Sequence, residues 1–199
     1  MLSIDMIFYS LLGSLIDLQL TFLSSSLFPS PSDRFAYFAE LDFISSLFSI
    51  ALQLLWSNYF HNMLSIRWVL LLSPLVTIIA SLVPLIARTP FIFSSCYVFR
   101  RVIVYAISKP AQESIYTVVS PSDKYATKSF IDTVAFRIGD LGGAWIFVIA
   151  DQLVGVGYEM GYLVACLTLC WIPLRIFLGN YYCNSSGRGG DVGGNVEGR

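Results

Sequence analysis

The chain has 199 residues, of which 56% are hydrophobic and 13% charged, and its mean hydropathy is +0.70. Soluble domains carry about 25% charged residues, so this composition excludes an ordinary soluble domain. The formal net charge of -1 gives no indication of a nucleic-acid partner, and we expect none. One histidine and four dispersed cysteines show neither zinc-binding spacing nor a disulfide framework, so we expect no metal site and no cofactor.

Apolar stretches long enough to cross a membrane follow one another along the chain. A spanning helix needs about 20 mostly apolar residues, because the hydrocarbon core is about 30 Å thick. Six stretches qualify, at about 2–28, 35–60, 68–87, 90–108, 130–154 and 158–182. The predicted fold is therefore all-α, a polytopic membrane bundle of six transmembrane helices in one domain, 1–183. The Gly-rich segment 184–199 is predicted to be a flexible tail.

The orientation is predicted from the distribution of basic residues, which favours the cytoplasmic side. One side of the predicted topology holds Arg67, Lys109, Lys124, Lys128, Arg175, Arg188 and Arg199. The other side holds only Arg34 and Arg88. Both termini and the loop 109–129 are thus predicted to be cytoplasmic, in a membrane that the sequence does not specify.

Prolines and glycines within the spans indicate that the helices pack against one another. Pro74, Pro84 and Pro173 free backbone groups that neighbouring helices must satisfy. Gly139 and Gly143, four residues apart, give the fifth span a face that another helix can approach closely.

Ionisable side chains lie deep inside three of the predicted spans, where they are costly. These residues are Asp17 in the first span, Arg100 and Arg101 in the fourth, and Asp132, Arg137 and Asp140 in the fifth. They are interpreted either as salt bridges that lock helices together or as the lining of a water-filled path for an anionic solute. On the second interpretation the cations bind the solute and the carboxylates pair with them or accept protons. Arg100 and Arg101 are the strongest candidates, because a guanidinium matches phosphate or carboxylate geometry.

The charges of the fifth span are also spaced to pair along one helix. Lys128 and Asp132 are four residues apart, and Arg137 and Asp140 are three apart. The preceding loop adds Lys109 and Glu113 to the candidate residues.

The loop and fifth span together resemble a known family. The matching text is Lys109-Pro110-Ala111-Gln112-Glu113, Tyr116-Thr117-Val118-Val119, Lys128-Ser129-Phe130-Ile131-Asp132-Thr133, Arg137-Ile138-Gly139-Asp140 and Gly142-Gly143-Ala144-Trp145. It is similar to the segment between the tenth and eleventh helices of the nucleotide (ATP/ADP) translocase-like branch of the major facilitator superfamily. The resemblance covers about 7–182 and is sharpest over 109–145.

This resemblance implies that the six spans correspond to the C-terminal half of a twelve-helix transporter. It implies a secondary transporter that moves an organic anion, with a nucleotide as the best guess, by alternating access. The implied substrate-binding residues are Arg100, Arg101, Lys109, Lys128 and Arg137, and the implied charge-pairing or proton-coupling residues are Asp17, Glu113, Asp132 and Asp140.

The match is incomplete at two positions where the ATP/ADP exchangers carry a basic residue. Gln112 and Asp140 stand there in this chain, which weakens the case for ATP/ADP exchange itself. The expected partners are the lipid bilayer, a small anionic solute and a complementary six-helix half on the same or another chain. Because the sequence opens inside a hydrophobic helix, a fragment is favoured over a separate half-transporter.

A different class of function remains open, a non-transporting membrane scaffold or assembly subunit whose buried charges pair helices. An enzyme is not expected, because the sequence has no paired catalytic carboxylates, Ser/His arrangement or phosphate-binding glycine loop.

Overall fold

The computed structural model describes residues 2–59, 66–111, 131–155 and 157–192. The elements within these ranges are helices. They are α1 (Leu2–Leu27), α2 (Pro31–Tyr59), α3 (Ile66–Ala87), α4 (Pro90–Ile103, continuing to Ala111), α5 (Ile131–Val154) and α6 (Met160–Val192). Among the described residues, six helices are long and apolar enough to cross a membrane.

Local sequence explains where several helices begin and end. Pro31 and Pro90 open α2 and α4, where the missing N–H of proline has no intrahelical partner to lose. Thr89 precedes Pro90 in an extended conformation. Gly155 closes α5 with a φ of 83°, and its N–H bonds to the carbonyl oxygen of Asp151 at 3.1 Å. That φ lies in the region that glycine adopts readily.

Helices α4 and α5 each contain a π-helical turn at the end that is predicted to lie on the cytoplasmic side. Val104–Ser108 forms this turn in α4, and Ile131–Ala135 forms it at the start of α5. A π turn inserts one extra residue into the helix and is often found at functional sites.

Helix α1 lies at the centre of the bundle and contacts α4, α5 and α6. Its most extensive contact is with α5, and the other large contact of the bundle joins α3 to α6. Helix α2 packs mainly on α4 and leaves many large apolar side chains exposed. The main core forms around α1 from side chains of α1, α4 and α6, among them Leu12, Leu15, Phe93, Val164 and Trp171.

Glycines set the close approach between α1 and α5, as the sequence predicts. A Cβ on Gly139 would lie 2.6 Å from the carbonyl oxygen of Ile7, and one on Gly143 would lie 2.8 Å from that of Leu11. These separations are shorter than real side chains tolerate, so the seam requires glycine at both positions. The predicted prolines also lie inside helices, Pro74 and Pro84 in α3 and Pro173 in α6.

The structure differs from the predicted boundaries at the end of α4 and at the C-terminus. Helix α4 reaches Ala111 rather than residue 108. Helix α6 continues to Val192, beyond the predicted start of the tail at 184, and residues 193–199 lie outside the described part.

Candidate functional site

A polar cavity of about 140 Å³ lies between α1, α4 and α5. Four of the charged residues singled out from the sequence line it, Asp17, Arg100, Arg101 and Asp140. The remaining lining residues are Tyr9, Ser10, Gly13, Ser14, Tyr97, Val104, Tyr105 and Phe136. Three helices thus direct their polar side chains into one space.

The α1 wall of the cavity is a polar stripe on an otherwise apolar helix. Ser10, Gly13, Ser14 and Asp17 recur at three- and four-residue spacing, which places them on one face of a helix. The opposite faces of α1 carry buried apolar residues such as Leu12, which is 0% exposed. The helical period therefore separates the cavity wall from the core.

Arg100 is the buried cation of the cavity, with only 7% of its surface exposed. Its Nε donates to the Thr77 hydroxyl at 3.3 Å, and that hydroxyl donates to the carbonyl oxygen of Ser73 at 2.8 Å. No carboxylate oxygen in the described part of the chain lies within 4.0 Å of Arg100, although Asp17 is near enough to interact through space. Arg100 therefore offers a charged group held by a neutral hydroxyl.

Arg101 is more fully engaged. It forms an ion pair with Asp42 of α2, and its Nη1 donates to the Tyr97 hydroxyl at 3.2 Å. Its guanidinium carbon also lies 5.9 Å from the ring centre of Tyr97 and 5.8 Å from that of Tyr105. Both distances fall within the range of cation–π attraction.

Lys109 adds a third cation beside the cavity. Its Nζ lies 5.5 Å from the ring centre of Tyr9 and 5.6 Å from that of Tyr105. Tyr105 thus interacts with both Arg101 and Lys109 from within the π turn of α4. Lys109, a predicted site residue, therefore lies beside the cavity, in contact with two of the tyrosines that line it.

Asp140 is held on the α5 wall by hydroxyls of α1. Its Oδ1 accepts from Ser10 at 2.5 Å and from Ser14 at 2.7 Å. The predicted pairing of Arg137 with Asp140 is not present, because the ion pairs of the described residues do not include it. Arg137 is exposed and does not line the cavity.

The other predicted site residues cannot be placed in the cavity. Lys128 and Glu113 lie outside the described residues. Asp132 belongs to the π turn that opens α5, but its side chain is not among those described.

A second buried charge cluster was missed by the sequence reasoning. The Arg175 Nε lies 2.6 Å from the Asp5 Oδ1, and both side chains are almost fully buried. Trp171 donates from its Nε1 to the same carboxylate oxygen at 2.8 Å, and the Arg175 guanidinium carbon lies 4.6 Å from the Trp171 ring centre. This cluster joins the first and last helices of the bundle.

The cluster also shows the surroundings of Arg175, which the sequence predicts to be a cytoplasmic cation. Its side chain is 0% exposed and lies against Asp5 and Trp171 within the bundle.

The class that the fold defines is a multi-pass helical membrane protein, indicated by its six long apolar helices. Comparison of the chain with models of known protein families, with curated proteins and with solved structures found no match. The family resemblance of the loop and fifth span therefore stays a prediction.

Proposed function

We propose that this protein is a membrane carrier, or the half of one, that moves a small organic anion through the cavity between α1, α4 and α5. The observation that carries the proposal is Arg100, a buried cation without a close carboxylate partner in the described part of the chain, facing a polar cavity. A buried cation without a carboxylate in direct contact is costly, which favours an anionic ligand as its partner.

The size of the cavity limits what it holds. Pockets for drug-sized ligands have volumes of about 300–1,000 Å³, whereas this cavity has about 140 Å³. A phosphate or carboxylate group fits such a space, and a whole nucleotide does not. We therefore propose that the anionic head of the solute binds beside Arg100, and that its remainder contacts a complementary six-helix half.

A nucleotide is the best candidate solute, in keeping with the resemblance to the ATP/ADP translocase-like branch. Three tyrosines and the Arg101 and Lys109 cations line or adjoin the cavity. Cations neutralise phosphate charge, and aromatic rings offer stacking surfaces for a base. Movement of the two halves about this site would provide alternating access, as in related architectures.

A membrane scaffold is the second candidate function, favoured by a specific observation. Two of the intramembrane arginines, Arg101 and Arg175, form ion pairs with carboxylates of other helices. Such pairs hold helices together without any solute. The scaffold interpretation predicts that Arg100 acts only through helix packing.

The uptake of radiolabelled nucleotide into cells that express the chain tests the proposal. We expect Arg100→Gln to reduce uptake at least tenfold at unchanged protein abundance. Arg88→Gln is the matched control, since Arg88 carries the same charge, is exposed and lies outside the cavity. The scaffold function is favoured if cells that express the wild-type chain take up no more nucleotide or small carboxylate than cells with an empty vector. It is also favoured if both variants reduce protein abundance together.

Water access to the cavity provides a test that does not depend on the solute. In a chain with its native cysteines replaced by serine, Gly13→Cys should react with a membrane-impermeant thiol reagent, because Gly13 lines the cavity. Leu12→Cys should not react, because Leu12 is buried in the core. Equal protection at both positions would argue against a solute path.

A further inference from the structure

A second and larger space lies between α2 and α4, and we call it the α2–α4 groove. Leu27 and Phe28, where α1 ends, border it on one side. Its volume is about 840 Å³, within the range of about 300–1,000 Å³ that is typical of pockets for drug-sized ligands. The described residues that line the groove are all different from those that line the polar cavity, so the two spaces are separate.

The walls of the groove are mainly apolar and aromatic. On α2 they are formed by Leu41, Ile44, Phe48 and Leu52, which recur at three- and four-residue spacing on one face of the helix. Side chains of α4, such as Phe99, form the opposite wall. Walls of this kind suit a ligand with an apolar or aromatic body.

Glu40 is the only charged residue among the described residues that line the groove. It follows Pro31, the first residue of α2, by nine positions, which places it about 14 Å into the span. Glu40 belongs to none of the ion pairs of the described residues. Asp42, two residues later, points about 160° away from it and pairs with Arg101. The Glu40 carboxylate is therefore left for a ligand in the groove.

An aromatic pair lies at the same end of the groove as this carboxylate. Tyr37 precedes Glu40 by three residues and so lies on the same face of α2. Its ring centre is 5.2 Å from that of Phe28, and both residues line the groove. The face of an aromatic ring attracts a cation, and more strongly where water is excluded. The carboxylate and the two rings thus give the groove an end that attracts positive charge.

The hydroxyl groups at this end have already used their hydrogens. Ser94 donates to the carbonyl oxygen of Pro90 at 2.8 Å. Ser95 donates to the carbonyl oxygen of Phe91 at 2.9 Å. Because the Ser94 hydrogen is used in this way, the Tyr37 hydroxyl is the donor in its hydrogen bond with Ser94. These hydroxyls offer no hydrogen to an anion, which the nearby carboxylate would also repel.

We propose that the α2–α4 groove binds a lipophilic organic cation, such as a quaternary ammonium or phosphonium ion, that enters from the bilayer. Its charge lies beside Glu40 and the rings of Phe28 and Tyr37. Its apolar body extends along the groove toward Leu52, about 18 Å from Glu40 along the helix. Binding is non-covalent. The inference goes beyond the proposed anion carrier, since it concerns a different space and a ligand of the opposite charge.

Two other occupants would cover the walls of the groove without providing a positive charge. They are the acyl chain of a lipid and the apolar face of a second copy of this chain. Either would leave the Glu40 carboxylate without a counter-charge inside the span, which is costly. A ligand that carries a cation therefore complements this groove better than an uncharged apolar group does.

The binding of radiolabelled tetraphenylphosphonium to the full chain in lipid nanodiscs tests the proposal. We expect saturable binding above that of empty nanodiscs. Glu40→Gln should weaken the affinity at least about tenfold, because the amide removes the charge that pairs with the ligand. Asp33→Asn is the matched control and should bind as the wild type does, since Asp33 is an exposed acid in the first turn of α2, outside the groove. Tetraphenylborate, an anion of the same shape, should show no saturable binding.

A second pair of variants tests the location without changing the charge. Ile44→Trp adds bulk to the groove and should weaken the binding of tetraphenylphosphonium. Phe43→Trp, at an exposed neighbouring position outside the groove, should leave it unchanged. Thermal unfolding in the same nanodiscs shows that both variants are folded.

Three results would overturn the inference. The first is a wild-type chain that binds no more tetraphenylphosphonium than empty nanodiscs do, and the second is equal affinity of the wild type and Glu40→Gln. The third is equal binding of tetraphenylphosphonium and tetraphenylborate, which would assign the groove to a lipid chain. A dimer that Ile44→Trp dissociates, in a chain that does not bind the cation, would assign the groove to a second copy.

Discussion

Neighbouring arginines in α4 have different partners and therefore different roles. Arg101 is engaged by Asp42 and by the rings of Tyr97 and Tyr105, while Arg100 has the Thr77 hydroxyl as its hydrogen-bond partner. Consecutive residues of a helix point about 100° apart, so one faces the α2 side and the other turns toward α3. Of the two, Arg100 has the greater capacity to accept an anion.

The buried pair of Asp5 and Arg175 makes a stability prediction at the same scale. Asp5→Asn leaves Arg175 buried without its counter-charge, and we expect a loss of about 3–5 kcal/mol in the free energy of unfolding. Replacing both residues with leucine should recover much of this loss, because no buried charge then remains. The melting temperature in lipid nanodiscs and the protein abundance provide the measurements.

The exposed pair of Arg88 and Glu159 is the control for that prediction. Its atoms stand 3.7 Å apart, with most of the Arg88 side chain exposed. Arg88→Gln should therefore cost about 0–1 kcal/mol. Equal losses for the two pairs would contradict the structural role assigned to Asp5 and Arg175.

Part of the cavity could be predicted from residue type alone. Asp17, Arg100, Arg101 and Asp140 stand out because charge is rare within a membrane span. The serines and tyrosines were missed, because such residues are common in apolar helices and only packing selects those that share a space. One pattern could have found the α1 wall, the three- and four-residue spacing of Ser10, Gly13, Ser14 and Asp17.

At the scale of the helix, the seam between α1 and α5 depends on which glycines face it. Gly139→Ala should push the helices apart and cost about 1–3 kcal/mol, since its Cβ would meet the backbone of Ile7. Gly142→Ala should be tolerated, because the nearest atom of another helix to its Cβ is the Leu11 Cδ1 at 3.5 Å. Thermal unfolding of the two variants in nanodiscs compares them directly.

A comparable destabilisation of both glycine variants would show that helix flexibility, and not close approach, is the reason for glycine at these positions. The Gly142 variant should instead match or slightly exceed the wild type, because alanine favours the helix over glycine.

The helical period also explains why Arg137 lies outside the cavity. Gly139 faces α1, and Arg137, two residues earlier, points about 160° away from it. Had the face with Gly139 and Gly143 been taken as the one that packs on α1, the sequence would have predicted Arg137 on the exposed face of α5. Its three-residue spacing from Asp140 favoured a pair, but the hydroxyls of Ser10 and Ser14 occupy Asp140 instead.

At the scale of the whole molecule, the number of spans could be predicted and their arrangement could not. Apolar length fixes each span to within a few residues, because the thickness of the bilayer sets it. Which helices are neighbours depends on long-range packing, such as the contact of α1 with α5 and of α3 with α6. The buried cluster of Asp5, Trp171 and Arg175 was missed because Asp5 lies near the start of its span and Arg175 was assigned to the cytoplasmic end of the sixth span.

The orientation of the whole bundle is a prediction of its own. In a chain with its native cysteines replaced, a membrane-impermeant maleimide should label Ser30→Cys in intact cells, because the connection after α1 is predicted to lie outside. Ser122→Cys in the loop between α4 and α5 should react only after permeabilisation. The reverse labelling pattern would place the termini outside.

The buried cluster of Asp5, Trp171 and Arg175, which joins α1 to α6, has a consequence for biogenesis. Asp5 precedes Trp171, its hydrogen-bond donor, by 166 residues. At ribosomal speeds of about 5–20 residues per second, the nascent first helix waits on the order of 10–30 s for the sixth. During that interval Asp5 has none of the contacts that Trp171 and Arg175 of α6 later provide. We therefore expect the newly inserted first helix to bind membrane chaperones that recognise polar transmembrane helices.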